Sequence, residues 1–319
     1  MTAVRVSSPG PPRVSTHGWS KICSALMIAI TDATSVVGLI SGMVMWRNWD
    51  QPVAPSMARW SQVRVNSAIG RQAGSQRGAT PLLMFNGIGG SIELLEPLAR
   101  AMPAREVIVF DVPGVGHSPM PRRPYRLRTL ARWALGVLDH FGHAQADVLG
   151  VSWGGVAAQE FARTAGERCR RLILCATTSG MFMLPGHPKA IARMVTPRRY
   201  MSKAYATQVS GDIYGGDFRR QPELAAEFMK HVKWQSRWGY YLQIGAATGW
   251  TSVHWLCRLK QRTLVMAGRD DPLIHTFNAR LMRSLIPNSE LKLFDCGHLF
   301  LMTRQEESVR AINEFLDKA

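Results

Sequence analysis

Cysteine, acidic residues and charge in general are all scarce in this chain of 319 residues, and each shortage removes a class of protein. The five cysteines, Cys23, Cys169, Cys175, Cys257 and Cys296, are scattered and form no CxxC pair. That argues against a disulfide framework and against a zinc site, and fits a reducing compartment, the cytoplasm. Charged residues make up 19% of the chain against 46% hydrophobic, too apolar a balance for a disordered protein. The deficit of acids, 22 against 39 Lys and Arg, leaves a net charge of +17. Such an excess attracts anionic surfaces. Yet no basic tract is interleaved with aromatics in the manner of a nucleic-acid module, so no nucleic acid is expected as a partner. There is no internal repeat, and the glycine-rich segment Asn86-Gly87-Ile88-Gly89-Gly90 is not followed by the Lys-Ser/Thr of a phosphate loop.

What is present begins with an N-terminal extension, residues 1–55. Its first 20 residues are poor in apolar side chains and read as a disordered arm. Residues 22–45 are apolar and long enough to span a bilayer. Asp32 near their middle would cost about 3 kcal/mol on insertion scales, so a docked helix or a start at Met57 competes with a membrane or granule anchor.

Beyond residue 56 the pattern alternates. Short apolar runs at 81–86, 106–111, 146–151, 171–176, 263–267 and 290–294 are bounded by Gly, Pro or Asp, as buried parallel strands are. Helical stretches lie between them at 91–101, 129–141, 156–165, 276–285 and 308–316. This order predicts a mostly parallel, doubly wound α/β sheet. Residues 180–258 interrupt it with no clear strand and many Met, Trp, Tyr and Arg. An insertion of that length predicts a helical cap.

Gly150-Val151-Ser152-Trp153-Gly154 follows one predicted strand and opens a helix. That is the setting of a nucleophile elbow, which makes the fold an α/β-hydrolase fold and Ser152 the nucleophile. A serine hydroxyl needs a base. In this fold the base lies after the last strand, where His298 stands. His140 and His143 read as surface or helix-capping residues, and His117 as a residue that either lines the pocket or satisfies its own loop. The acid should come between serine and histidine in the chain, after a strand, and both Asp270 and Asp271 qualify. For the oxyanion, the backbone N–H groups of Trp153 and Ile88 are the candidate donors, with Asn86 at the head of the second loop. The mechanism needs neither metal nor organic cofactor.

With those residues in hand the sequence resembles the intracellular poly(3-hydroxyalkanoate) depolymerases that act on polyesters with medium-length side chains. The resemblance is carried by segments 80–90, 110–118 and 150–155, by 196–200, 213–220 and 249–256 in the cap, and by 267–274 and 297–304. It implies that the acid is Asp271, the aspartate before proline, so that the triad is Ser152, Asp271 and His298. It also implies a cytoplasmic, granule-associated serine esterase whose partner is the polyester granule surface. Alternatives are a carboxylesterase, lipase or carbon–carbon bond hydrolase for small apolar substrates, and a non-catalytic granule or membrane binding protein. Asn86, Met181, Phe182, Trp234, Trp250 and Leu299 are the candidate substrate contacts, an apolar and adaptable set. Residues 181–260 hold twelve Lys and Arg against four acids. Arg198, Arg199, Arg219 and Arg220 are therefore expected either to draw the cap to an anionic granule surface or to form ion pairs within it.

Overall fold

The computed structural model describes residues 63–65, 80–233 and 236–318. The N-terminal extension, with the candidate anchor at 22–45, lies outside the described residues, as does Trp234. Among the described residues there are seven strands: β1 (Val63–Val65), β2 (Leu82–Phe85), β3 (Val107–Phe110), β4 (Ala146–Val151), β5 (Cys169–Cys175), β6 (Arg262–Gly268) and β7 (Ser289–Phe294). They form one sheet in the order β1-β3-β2-β4-β5-β6-β7. β1 is antiparallel to β3, and the other six are mutually parallel.

The parallel strands form where the apolar runs lie because helices cover both faces of the sheet. Leu82 through Phe85, and Val148 and Leu149 of β4, are all buried. The helices alternate with the strands: α1 (Ile92–Arg100), α2 (Leu127–His140) and α3 (Trp153–Ala165) early in the chain. In α2 the buried positions are Leu127, Leu130, Ala131, Ala134, Val137 and Leu138, the spacing of one helical face. Each large side chain removed from water there contributes about 1.5–3 kcal/mol.

Among the described residues six α-helices come between β5 and β6: α4 (Pro188–Met194), α5 (Arg198–Met201), α6 (Lys203–Tyr214), α7 (Gly216–Arg220), α8 (Leu224–Lys230) and α9 (Arg237–Ala247). They carry a second apolar cluster that includes Tyr200, Val209, Ile213, Phe218 and Tyr240, and Leu273 from the loop after β6 joins it. The cap aromatics thus mostly pack one another. After β6 follow α10 (Thr276–Leu285), β7, the short α11 (Phe300–Thr303) and α12 (Gln305–Asp317). Among the described residues, no helix is long and apolar enough to cross a membrane.

Candidate active site

Ser152 stands between β4 and α3 with φ 55° and ψ −119°, a left-handed conformation that few non-glycine residues adopt. The turn is tight enough to dictate its glycines. A Cβ on Gly150 would lie 2.3 Å from the Gly154 carbonyl oxygen, and one on Gly154 would lie 2.2 Å from the Phe85 carbonyl oxygen. The serine backbone is tied at both ends. Its N–H donates to the Cys175 carbonyl at 2.8 Å, and its carbonyl accepts from the Thr177 hydroxyl at 2.7 Å.

Asp271 and His298 come from the loops after β6 and β7. One Asp271 oxygen accepts the Leu273 and Ile274 amides, both at 2.9 Å, and so is fixed by its own turn. The other lies 2.7 Å from His298 Nδ1. Both side chains are buried, so the bond is sheltered from water. Asp270 points elsewhere. Its carboxylate accepts the Gly216 amide at 2.8 Å at the start of α7 and pairs with Arg219, also at 2.8 Å. The two neighbouring aspartates therefore divide between the histidine and the cap. The histidine loop is held by the cap as well. The His298 amide donates to the Tyr214 carbonyl at 2.7 Å, and the Tyr214 ring stacks on the imidazole at 6.5 Å. Gly297 must be glycine for that approach, since a Cβ there would meet the Tyr214 oxygen at 1.9 Å.

The candidate oxyanion segment after β2 is shaped by Asn86, which accepts the Gly87 amide at 2.8 Å and donates to the Ser91 carbonyl. Among the described residues neither the Ile88 nor the Trp153 amide has a protein acceptor. Gln243 of α9, which the sequence did not single out, ties the two segments together. Its side-chain oxygen accepts the Gly89 amide at 2.7 Å, and its carbonyl accepts the Trp153 indole N–H at 2.8 Å. Tyr200 adds a third tie, donating to the Ile88 carbonyl at 2.8 Å. A buried glutamine and a cap tyrosine look like any helical residues in sequence; only the packing of cap on sheet gives them this place.

Below this loop lies a polar cluster. Asp111 is buried and accepts the Ile92 and His117 amides, each at 2.8 Å. Burial raises its carboxyl to about 6, against the lowering effect of those two bonds. His117 reaches Glu93 at 3.0 Å and is spent on that contact. His143 does the same with Glu106, and His140 lies exposed against Phe141.

Ser152 and His298 open into one cavity of about 330 Å³, lined mostly by apolar side chains such as Leu94, Leu98, Val151, Met194, Phe228 and Leu273. Asn86, Ile88 and Leu299 line it too. Met181, Phe182 and Trp250 do not. They lie around the bridge between Gly180 and Thr251, where the Met181 amide pairs with the Trp250 carbonyl and the Trp250 indole donates to Glu160 at 2.9 Å. The cavity is instead walled by Met194, Tyr200, Tyr214 and Phe228 of the cap. Expectations for the cap arginines change as well. Arg199 is 2% exposed and packs against Tyr200 and Tyr240, so it cannot face a granule. Arg219 and Arg220 pair with Asp270 and Asp217. Arg198 lies over the Tyr205 ring at 4.7 Å. Among the described residues, no group of His, Cys, Asp and Glu is arranged to hold a metal ion.

Strand order, elbow and post-strand loops together define an α/β-hydrolase, and residues 80–305 match that fold family. The chain belongs to it and is a hydrolase. Within it the chain groups with the poly(3-hydroxyalkanoate) depolymerase of Ectopseudomonas oleovorans, at 49% identity over 75% of this chain and 85% of the relative. The 2-hydroxymuconate semialdehyde hydrolase of Pseudomonas putida is 29% identical over 69% of this chain and 80% of its own. Among solved structures, the enol-lactonase from Burkholderia xenovorans LB400 shares the fold with a TM-score of 0.66 at 23% identity, covering 81% of this chain and 96% of that one.

Proposed function

We propose that the chain is a serine esterase that cleaves ester bonds of poly(3-hydroxyalkanoate), with Ser152 as nucleophile, His298 as base and Asp271 as orienting acid. The observation that carries this reading is the buried 2.7 Å contact of His298 with Asp271, beside a cavity that also holds a left-handed Ser152. The 49% identity to a depolymerase supports the choice of polyester.

In this mechanism His298 takes the proton of Ser152 while Asp271 holds the imidazole by Nδ1, leaving Nε2 to act as base. The serine oxygen adds to the ester carbonyl. The Ile88 and Trp153 amides hold the oxyanion, a role suited to donors that have no acceptor among the described residues. Collapse of the intermediate expels the hydroxyl end of the chain, which takes the proton from His298. Water, deprotonated by the same histidine, then releases the acid and restores Ser152. The apolar wall suits the alkyl side chains of such a polyester.

Incubating the protein with polyhydroxyalkanoate granules and following hydroxyacid release tests the reading. Release that is lost in Ser152→Ala supports it. Turnover of small soluble esters with no release from granules would contradict the polyester assignment.

A further inference from the structure

Among the described residues Arg199 is a buried cation with no anion beside it. It sits in the wall of the cavity that holds Ser152 and His298, and only 2% of it is exposed. The exposed Arg198 lies over the Tyr205 ring, and four other cap cations have carboxylates: Lys189 and Arg193 share Asp212, and Arg219 and Arg220 take Asp270 and Asp217. Among the described residues Arg199 has none. One nitrogen donates to the Tyr240 hydroxyl at 3.0 Å, the Tyr214 hydroxyl also lies within reach of the guanidinium, and the Tyr200 ring centre is 4.2 Å away; all three are neutral groups. Its Nε, fully shielded from solvent, has no acceptor. Among the described residues the one carboxylate lining the same cavity, Glu227, is half-exposed and is taken up by Lys230 at 2.5 Å and His231 at 3.8 Å.

A buried guanidinium is costly unless an anion meets it, and aromatic faces recover only part of that cost. Leaving one unpaired in a reaction cavity makes sense when the ligand brings the charge. The group whose planar geometry matches a guanidinium is a carboxylate. The cavity's volume of about 330 Å³ is at the small end for a ligand site and admits only a short piece of chain.

We propose that Arg199 is a binding residue for a free carboxylate of an apolar acid in this cavity, so that the enzyme takes its substrate by the acid end. The carboxylate-binding chemistry stands on Arg199 alone; that the acid is the end of a polyester rests on the function proposed above. In such a chain the free carboxylate lies beyond the ester's alcohol oxygen. The group held by Arg199 would then leave as a short hydroxyacid once Ser152 is acylated. Cleavage would proceed from chain ends, not at random along the polymer.

The test uses the full chain carrying Ser152→Ala, so that esters bind without turning over. Octanoate and methyl octanoate are titrated by calorimetry. Octanoate should bind at least about tenfold more tightly, and adding Arg199→Met should remove about that factor while moving the methyl ester much less. A purely structural Arg199 would weaken both ligands alike. Equal affinities in the Ser152→Ala parent would overturn the proposal without need of the second substitution, which guards against a variant that fails to fold. Carboxylate binding in a protein inactive on granules would support this site and count against the polyester reading. Hydrolysis of granules without any preference for octanoate would do the reverse.

Discussion

The Tyr200 phenol reaches from the cap to the sheet's edge and donates a 2.8 Å hydrogen bond to the Ile88 carbonyl. Through it the cap fixes the Ile88–Gly89 peptide, the next one along the chain from the peptide that carries the candidate oxyanion amide. Tyr200→Phe should leave the fold intact, since the ring keeps its contacts with Phe228 and Tyr240. Ester turnover should fall about five- to tenfold in kcat, the loss of one hydrogen bond of about 1 kcal/mol. Steady-state kinetics on a soluble ester checks this; an unchanged kcat would show that the bond does not shape the site.

The adjacent aspartates should separate cleanly. Asp271→Asn replaces the carboxylate bonded to His298 and should lower kcat by about 10⁴, as in the serine protease template. Asp270→Asn weakens an exposed tie to Arg219 and the Gly216 amide and should keep most activity, with a loss of stability under about 1 kcal/mol. Reversed effects would reassign the acid.

Backbone closeness at the elbow makes a stability prediction. Gly154→Ala places a methyl 2.2 Å from the Phe85 carbonyl oxygen, between two rigid elements. Unfolding should become easier by about 3 kcal/mol or more, since neither β2 nor α3 can move aside without opening the core. Chemical denaturation measures it, and a variant as stable as the parent would mean that the elbow is looser than drawn.

Asp111 supplies a pH prediction. Burial raises its carboxyl to about 6 from an ordinary 3.8, so the folded state disfavours the ionised form. The sign follows: this group's contribution is most favourable below about pH 4 and is lost as pH rises through about 6, a change on the order of 3 kcal/mol. The stability of the wild type relative to Asp111→Asn should therefore fall between pH 4 and 7. A constant difference across that range would show that Asp111 does not titrate there.

How far the sequence reached depends on which forces act locally. Strands at 146–151 and 263–267, the latter one residue longer at each end in the structure, were legible because burial on both faces demands continuous apolar runs. Ser152, the Asp270-Asp271 pair and His298 were legible because each follows such a strand. β1 went unread: three residues carry no period, and pairing with β3 is a long-range matter. The cap resisted for a related reason. Its Met, Trp and Tyr residues are similar in composition whether they face the cavity or one another. Tyr200, Tyr214 and Phe228 wall the site while Met181 and Trp250 lie elsewhere, and only tertiary packing makes that choice. Arg199, grouped with surface arginines by charge count, is buried for the same reason.

The central claim, that Ser152 is the acylated nucleophile, is tested most directly by trapping it. The protein is treated with a fluorophosphonate, which phosphonylates activated serines, and the adduct is mapped by peptide mass spectrometry while hydroxyacid release from polyester granules is followed. One adduct is expected, on the peptide carrying Ser152, forming in step with loss of hydrolysis and absent from Ser152→Ala. Full hydrolysis by Ser152→Ala, or inactivation with the adduct on another serine, would contradict it.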